Sequence, residues 1–168
     1  MKRIYLDYAA TTPMHPLVLA AMQKFFIEKF GNASSLHSIG QEAKSAVEES
    51  RQAIAKILGA SPEEIVFTSG GSESDNFAVK GVAFAMKEKG NHIITSKLEH
   101  HAVLETCHFL QKNGFKVTFL PVDKYGLVDP ADIKNAIAPG TILVTIMHAN
   151  NEIGTIEPIE AIGKVCRE

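Results

Sequence analysis

The sequence predicts an α/β domain built on a mostly parallel sheet with helical crossovers, and a sheet that is incomplete. Three observations lead there. Short runs rich in Ile, Val, Thr and Phe alternate with longer stretches of helical periodicity. Gly, Pro, Asn and Asp cluster between those runs, where turns belong. The last helical pattern, "IEAIGKVCRE", has no strand after it; a natural C-terminal helix and a sheet cut partway through both fit, and the pattern leans slightly to the second because a helix leaving a buried parallel strand usually crosses back to another.

Residues 1 to about 15, with "RIYLDYA", read as an extended arm. A helical pattern follows at about 17–29. The turn-rich "GNASSLHSIG" then leads to a second helix at about 40–58, where Ala46, Val47, Ile54 and Ile57 are spaced for one apolar face. "GASPEE" closes that helix. Next come a strand "IVFTS" (65–69), a helix at about 72–89, a strand "HIITS" (92–96), a helix at 100–112 and a strand "KVTFLPV". A short helix "DPADIKNAI", a strand "TILVTIMH" and a helix from about 158 complete the series. About four strands are expected in one segment spanning 1–168, since no repeat or compositional shift marks a boundary.

Composition narrows the function. With 45% hydrophobic and 21% charged residues the chain is globular rather than disordered. Lys plus Arg total 17 against 19 for Asp plus Glu, a net charge of -2, so no nucleic acid or anionic membrane partner is expected. The longest apolar runs fall well short of the roughly 20 residues of a membrane helix, and the first residues lack the apolar core of a signal peptide. Only Cys107 and Cys166 occur, too few for a disulfide framework, and a cytoplasmic location is expected.

Three segments offer chemistry. In "VFTSGGSESDN", Gly70 and Gly71 allow a tight turn, and Ser72 is expected to cap the next helix with Asp75 completing a capping box. Free amides there plus the Ser72 hydroxyl would cradle a phosphate. The same residues also make an ordinary capped turn, and taken alone they leave both readings open. "MHANNEIGT" follows the most strand-like run, so Asn150 and Asn151 fall where α/β folds bind ligands, although Asn-Asn alone reads better as a turn.

"LEHHAVLETCH" gathers three histidines and a cysteine. No second pair of ligands has zinc-site spacing, so no metal is expected. Cys107 and Leu104 read as core, His101 and His108 as partly solvated, and His100 stands at a helix start beyond a strand end. An anion site at Ser72, a flat ring at His100 and an amide at Asn151 would together suit a phosphorylated aromatic cofactor.

The segments "YLDYAATTP" (5–13), "FGNASSLH" (30–37), "EIVFTSGGSESDN" (64–76), "HIITSKLEHHAVLETC" (92–107) and "TIMHANNEIGTI" (145–156) resemble, in order and spacing, the N-terminal half of a cysteine desulfurase of the NifS/IscS type. That family has the fold-type-I large domain of pyridoxal-phosphate transferases. The resemblance implies that Gly71 and Ser72 hold the cofactor phosphate, that His100 stacks on the pyridine ring and that Asn151 lies near the ring hydroxyl. It also implies that the Schiff-base lysine, the aspartate at the ring nitrogen, the substrate-binding arginine and the sulfur-accepting cysteine lie beyond this stretch. Lys97 reads as solvated, and neither Cys107 nor Cys166 matches a catalytic position.

The expected activity is conversion of L-cysteine to L-alanine with persulfide formation, supplying sulfur for iron–sulfur clusters or thio-cofactors. It would require a C-terminal half, and the implied partners are that half, a second copy in a dimer, and an iron–sulfur scaffold or other sulfur acceptor. The alternative is a catalytically silent cofactor-binding or interaction fragment that docks on a full-length homologue. A transaminase or lyase on the same fold is disfavoured by the number of group-specific segments.

Overall fold

A computed structural model describes residues 3–168. The chain divides into two compact units, Met1–Phe67 and Thr68–Glu168. In the first, residues 3–15 form neither helix nor strand and are exposed; residues 1 and 2 of the expected arm lie outside the described residues. Helix α1 (Pro16–Ile27) starts with Pro16, whose fixed φ suits a first turn, and the His15 side chain accepts the Leu17 N–H at 3.3 Å. Helix α2 (Ser38–Leu58) is capped by His37, which accepts the Gly40 N–H, and it ends at Gly59, whose φ of 66° stops the helix in the left-handed region.

The apolar stripe expected on α2 is largely uncovered. Ala43 and Ala55 are buried, but Ile57 is 83% exposed. Helical spacing places residues on one face; burial needs a second layer, and within this unit none covers that stripe. A capping box between Ser61 and Glu64 opens a single 3-10 turn at Pro62–Glu64.

The second unit carries the sheet: α3 (Gly71–Ala85), β1 (His92–Ser96), α4 (His101–Lys112), β2 (Lys116–Leu120), α5 (Pro130–Ala136), β3 (Thr141–Thr145) and α6 (Ile159–Val165). The strands are parallel in the order β2-β1-β3. Among the described residues "IVFTS" is not a strand. It finds no neighbour to complete its ladder, and the sheet has three strands rather than the expected four.

Strand β1 is central and buried on both faces. Ile93 packs with Val79, Ala83, Val103, Cys107, Leu110 and Phe115, so α3 and α4 cover one side. Ile94 packs with Leu120, Val128, Ile133 and Ile162, so α5 and α6 cover the other. Successive strand residues point to opposite faces, and both isoleucines are 0% exposed, each burial contributing roughly 1.5–3 kcal/mol.

At the sheet's N-terminal edge the His92 ring bonds Thr141 Oγ1 and Thr118 Oγ1, each at 2.8 Å, and ties all three strands. Here Gly90 approaches the Gly140 backbone so closely that a Cβ would fall 2.2 Å from the Gly140 oxygen. The carboxyl ends of the strands, at the opposite edge, are left for polar loops.

Candidate functional site

Helix α3 begins two residues earlier than an N-cap at Ser72 would set it. Gly70 is the N-cap and Gly71 the first helical residue, which makes Ser72 the second and leaves Asp75 outside any capping box. The Glu73 carboxylate instead accepts the N–H and the hydroxyl of Ser69, each at 2.6 Å, and these bonds hold Glu73 below the usual carboxylate range. The first backbone bond of the helix runs from Ser74 N–H to Gly70 C=O. The amides of Gly71, Ser72 and Glu73 therefore have no backbone acceptor among the described residues, and with the exposed Ser72 hydroxyl they suit an anion.

His100 is the N-cap of α4. Its Nδ1 accepts the Ala102 N–H at 3.1 Å, so the neutral ring carries its proton on Nε2 and is fixed in orientation while remaining exposed. Its neighbour Glu99 is buried. The Glu99 Oε1 accepts the Met147 N–H at 2.7 Å and the Ser96 hydroxyl at 3.3 Å, and burial, with Glu157 and Asp75 nearby, raises its pKa.

The two asparagines divide their labour. Asn150 is buried, and its Oδ1 accepts the N–H groups of Glu152 and Ile153 at 2.8 and 3.0 Å while its Nδ2 donates to Leu98 C=O at 3.2 Å. Asn151 is exposed, with no side-chain hydrogen bond among the described residues. The turn is real and Asn150 builds it, which leaves the Asn151 amide available.

Gly71, Ser72, His100 and Asn151 make no hydrogen bond to one another; their supporting segments do. Asn76 Nδ2 donates to Ser72 C=O at 2.9 Å and Thr106 Oγ1 donates to Asn76 Oδ1 at 2.8 Å, which joins the first turns of α3 to α4. Glu99–Met147 and Asn150–Leu98 join the start of α4 to the loop after β3. Sequence reasoning missed Glu99, whose only signal is an acid between a strand end and a capping histidine. In the remaining cluster Cys107 is buried as expected, Leu104 is half-buried, and His101 and His108 are exposed. Lys97 is exposed as well.

Three parallel strands layered between helix pairs form the N-terminal part of a fold-type-I domain. The chain belongs to the aminotransferase class-V family, which it matches over residues 4–168. Cysteine desulfurase IscS of Dictyoglomus turgidum is 62% identical over 169 aligned positions, covering 100% of this chain and 43% of that protein. A solved NifS-like protein superposes with a TM-score of 0.94 at 43% identity, over 99% of this chain and 46% of its own. SspA in complex with cysteine superposes with a TM-score of 0.90 at 47% identity, over 97% of this chain and 47% of its own. The chain thus spans less than half the length of the relatives it matches.

Proposed function

We propose that the start of α3, His100 and Asn151 form one wall of a pyridoxal 5'-phosphate site, and that with the rest of the fold its relatives possess the chain takes part in desulfuration of L-cysteine. The observation that carries this reading is the joint placement of an unpaired helix start, a fixed imidazole and a free amide on segments cross-linked at the carboxyl side of one sheet.

The donor set fits the group. The amides of Gly71, Ser72 and Glu73 and the Ser72 hydroxyl would hold a phosphate dianion at the positive end of α3, a helix of 15 residues. The His100 ring offers a flat face for the pyridine, and the Asn151 amide can donate to or accept from a ring substituent. When bound, the cofactor supplies an electron sink for charge developing at the substrate α-carbon. The overall change is L-cysteine plus a protein thiol giving L-alanine plus a persulfide. The lysine and thiol for it would come from the rest of the fold, and a homodimer, a sulfur acceptor and a cytoplasmic setting belong to the same proposal.

A second reading, a silent fragment that docks on a longer homologue, is favoured by the apolar surface of α1, where Leu17 is 75% and Ile27 70% exposed. One set of measurements separates the two. The chain alone, treated with pyridoxal phosphate and borohydride, should give no reduced lysine adduct and release no sulfide from cysteine. Sulfide release should begin when a polypeptide supplying the rest of the fold is added. A stable adduct on Lys97 would overturn the desulfurase reading, and failure of complementation would favour the docking one.

A further inference from the structure

The Glu99 carboxylate is an expensive way to fill its place. It is 7% exposed, and two further carboxylates, Glu157 and Asp75, act on it unfavourably. Burying a carboxylate among like charges does not stabilise a fold, and an apolar residue would satisfy packing at lower cost. An apolar residue would, however, leave the Met147 N–H, just past the end of β3, without the acceptor it has at 2.7 Å.

The connections around Glu99 are specific. Ser96 Oγ donates to Glu99 and itself accepts the Leu98 N–H at 3.1 Å, so the short turn from β1 to α4 is closed from within. Across from it, Asn150 Nδ2 donates to Leu98 C=O. The segment holding His100 and the loop holding Asn151 are thus joined by two bonds, one through a carboxylate and one through an amide.

We propose that Glu99 is a positioning residue: by accepting the Met147 N–H and the Ser96 hydroxyl it locks the His100 segment to the Asn151 loop, so that ring wall and amide are preformed as one unit. The inference rests on the pyridoxal-phosphate reading for what the unit is for, and on hydrogen bonding alone for its existence. The phosphate cradle at Gly71 and Ser72 sits on a different helix and does not depend on this lock. Removing Glu99 should therefore separate ring recognition from phosphate recognition.

Two probes read the two halves: inorganic phosphate reports the α3 start, and pyridoxamine phosphate, which needs no lysine, reports phosphate plus ring. In the full 168-residue chain, Glu99→Ala should leave phosphate affinity within about twofold while pyridoxamine phosphate binding weakens about tenfold, the size of one aromatic contact. Glu99→Gln, which keeps the acceptor, should restore it. Equal weakening of both probes, no weakening of either, or failure of Glu99→Gln to restore the difference would overturn the proposal. If the unaltered chain binds pyridoxamine phosphate no better than phosphate, the cofactor reading fails. The lock is then judged by Met147 amide exchange: acceleration in Glu99→Ala with recovery in Glu99→Gln sustains it, and unchanged exchange refutes it.

Discussion

Glu99 Oε1 accepts the Met147 N–H at 2.7 Å, joining the turn before α4 to the residue two positions beyond β3. The bond crosses between neighbouring parallel strands at their carboxyl ends, where backbone pairing has stopped and only side chains can hold the loops in register.

The same carboxyl gives stability a pH dependence. Burial raises its pKa above the ordinary 4.5, so the native state holds a proton that the unfolded chain releases as pH rises from about that value. Between the unfolded and folded values the native state binds more protons, and stability declines as pH increases. Urea midpoints measured from pH 4 to 7 should fall less steeply for Glu99→Gln than for the unaltered chain; identical slopes would show that Glu99 is not the group responsible.

Asn150 and Asn151 should respond in opposite ways. Asn150→Ala removes the acceptor of two turn amides and the buried donor to Leu98, and should cost about 1–3 kcal/mol. Asn151→Ala should change stability by less than about 0.5 kcal/mol while weakening pyridoxamine phosphate binding. Thermal unfolding with titration of the ligand reads both.

Burial, with a smaller contribution from Glu99, pushes the Cys107 thiol up to about 11, while Cys166 is exposed. Iodoacetamide at pH 8 should label Cys166 and spare Cys107 until denaturant is added, because the thiolate is the reactive form. The native state keeps the Cys107 proton longer than the unfolded chain, so stability should also decline as pH rises from 9 toward 11.

Gly90→Ala places a methyl 2.2 Å from the Gly140 oxygen and should destabilise by about 3 kcal/mol. Gly81→Ala is the control: its Cβ meets nothing within 4 Å, it lies inside α3, and it should stabilise by about 0.5–1 kcal/mol. A common sign for the two would contradict the close approach of those backbones.

Local signals located most of the second unit. "HIITS" is β1 at both ends because a β-rich run between two turns has one reading, and Cys107 is core because α4 turns that face toward Ile93. The errors are of one kind. Ser72 looked like a cap because its residue type favours that role, but the chain begins α3 at Gly70, with Glu73 folded back on Ser69. "IVFTS" has strand composition and no strand beside it, and the α2 stripe has helical spacing without a covering layer.

By itself the sequence determined the alternation of strands and helices, the parallel sheet and the family, and the family resemblance is what names Gly71, Ser72, His100 and Asn151 as candidates. The elements follow from short-range periodicity, and the family from motifs that each lie within a short stretch of chain. Only the tertiary structure decided that Asn150 builds the turn and leaves Asn151 free, and that Glu99 ties the two loops together. The Glu99 bond spans 48 positions and the Asn150–Leu98 bond 52, and such pairings arise from strand order and register, which no local pattern encodes.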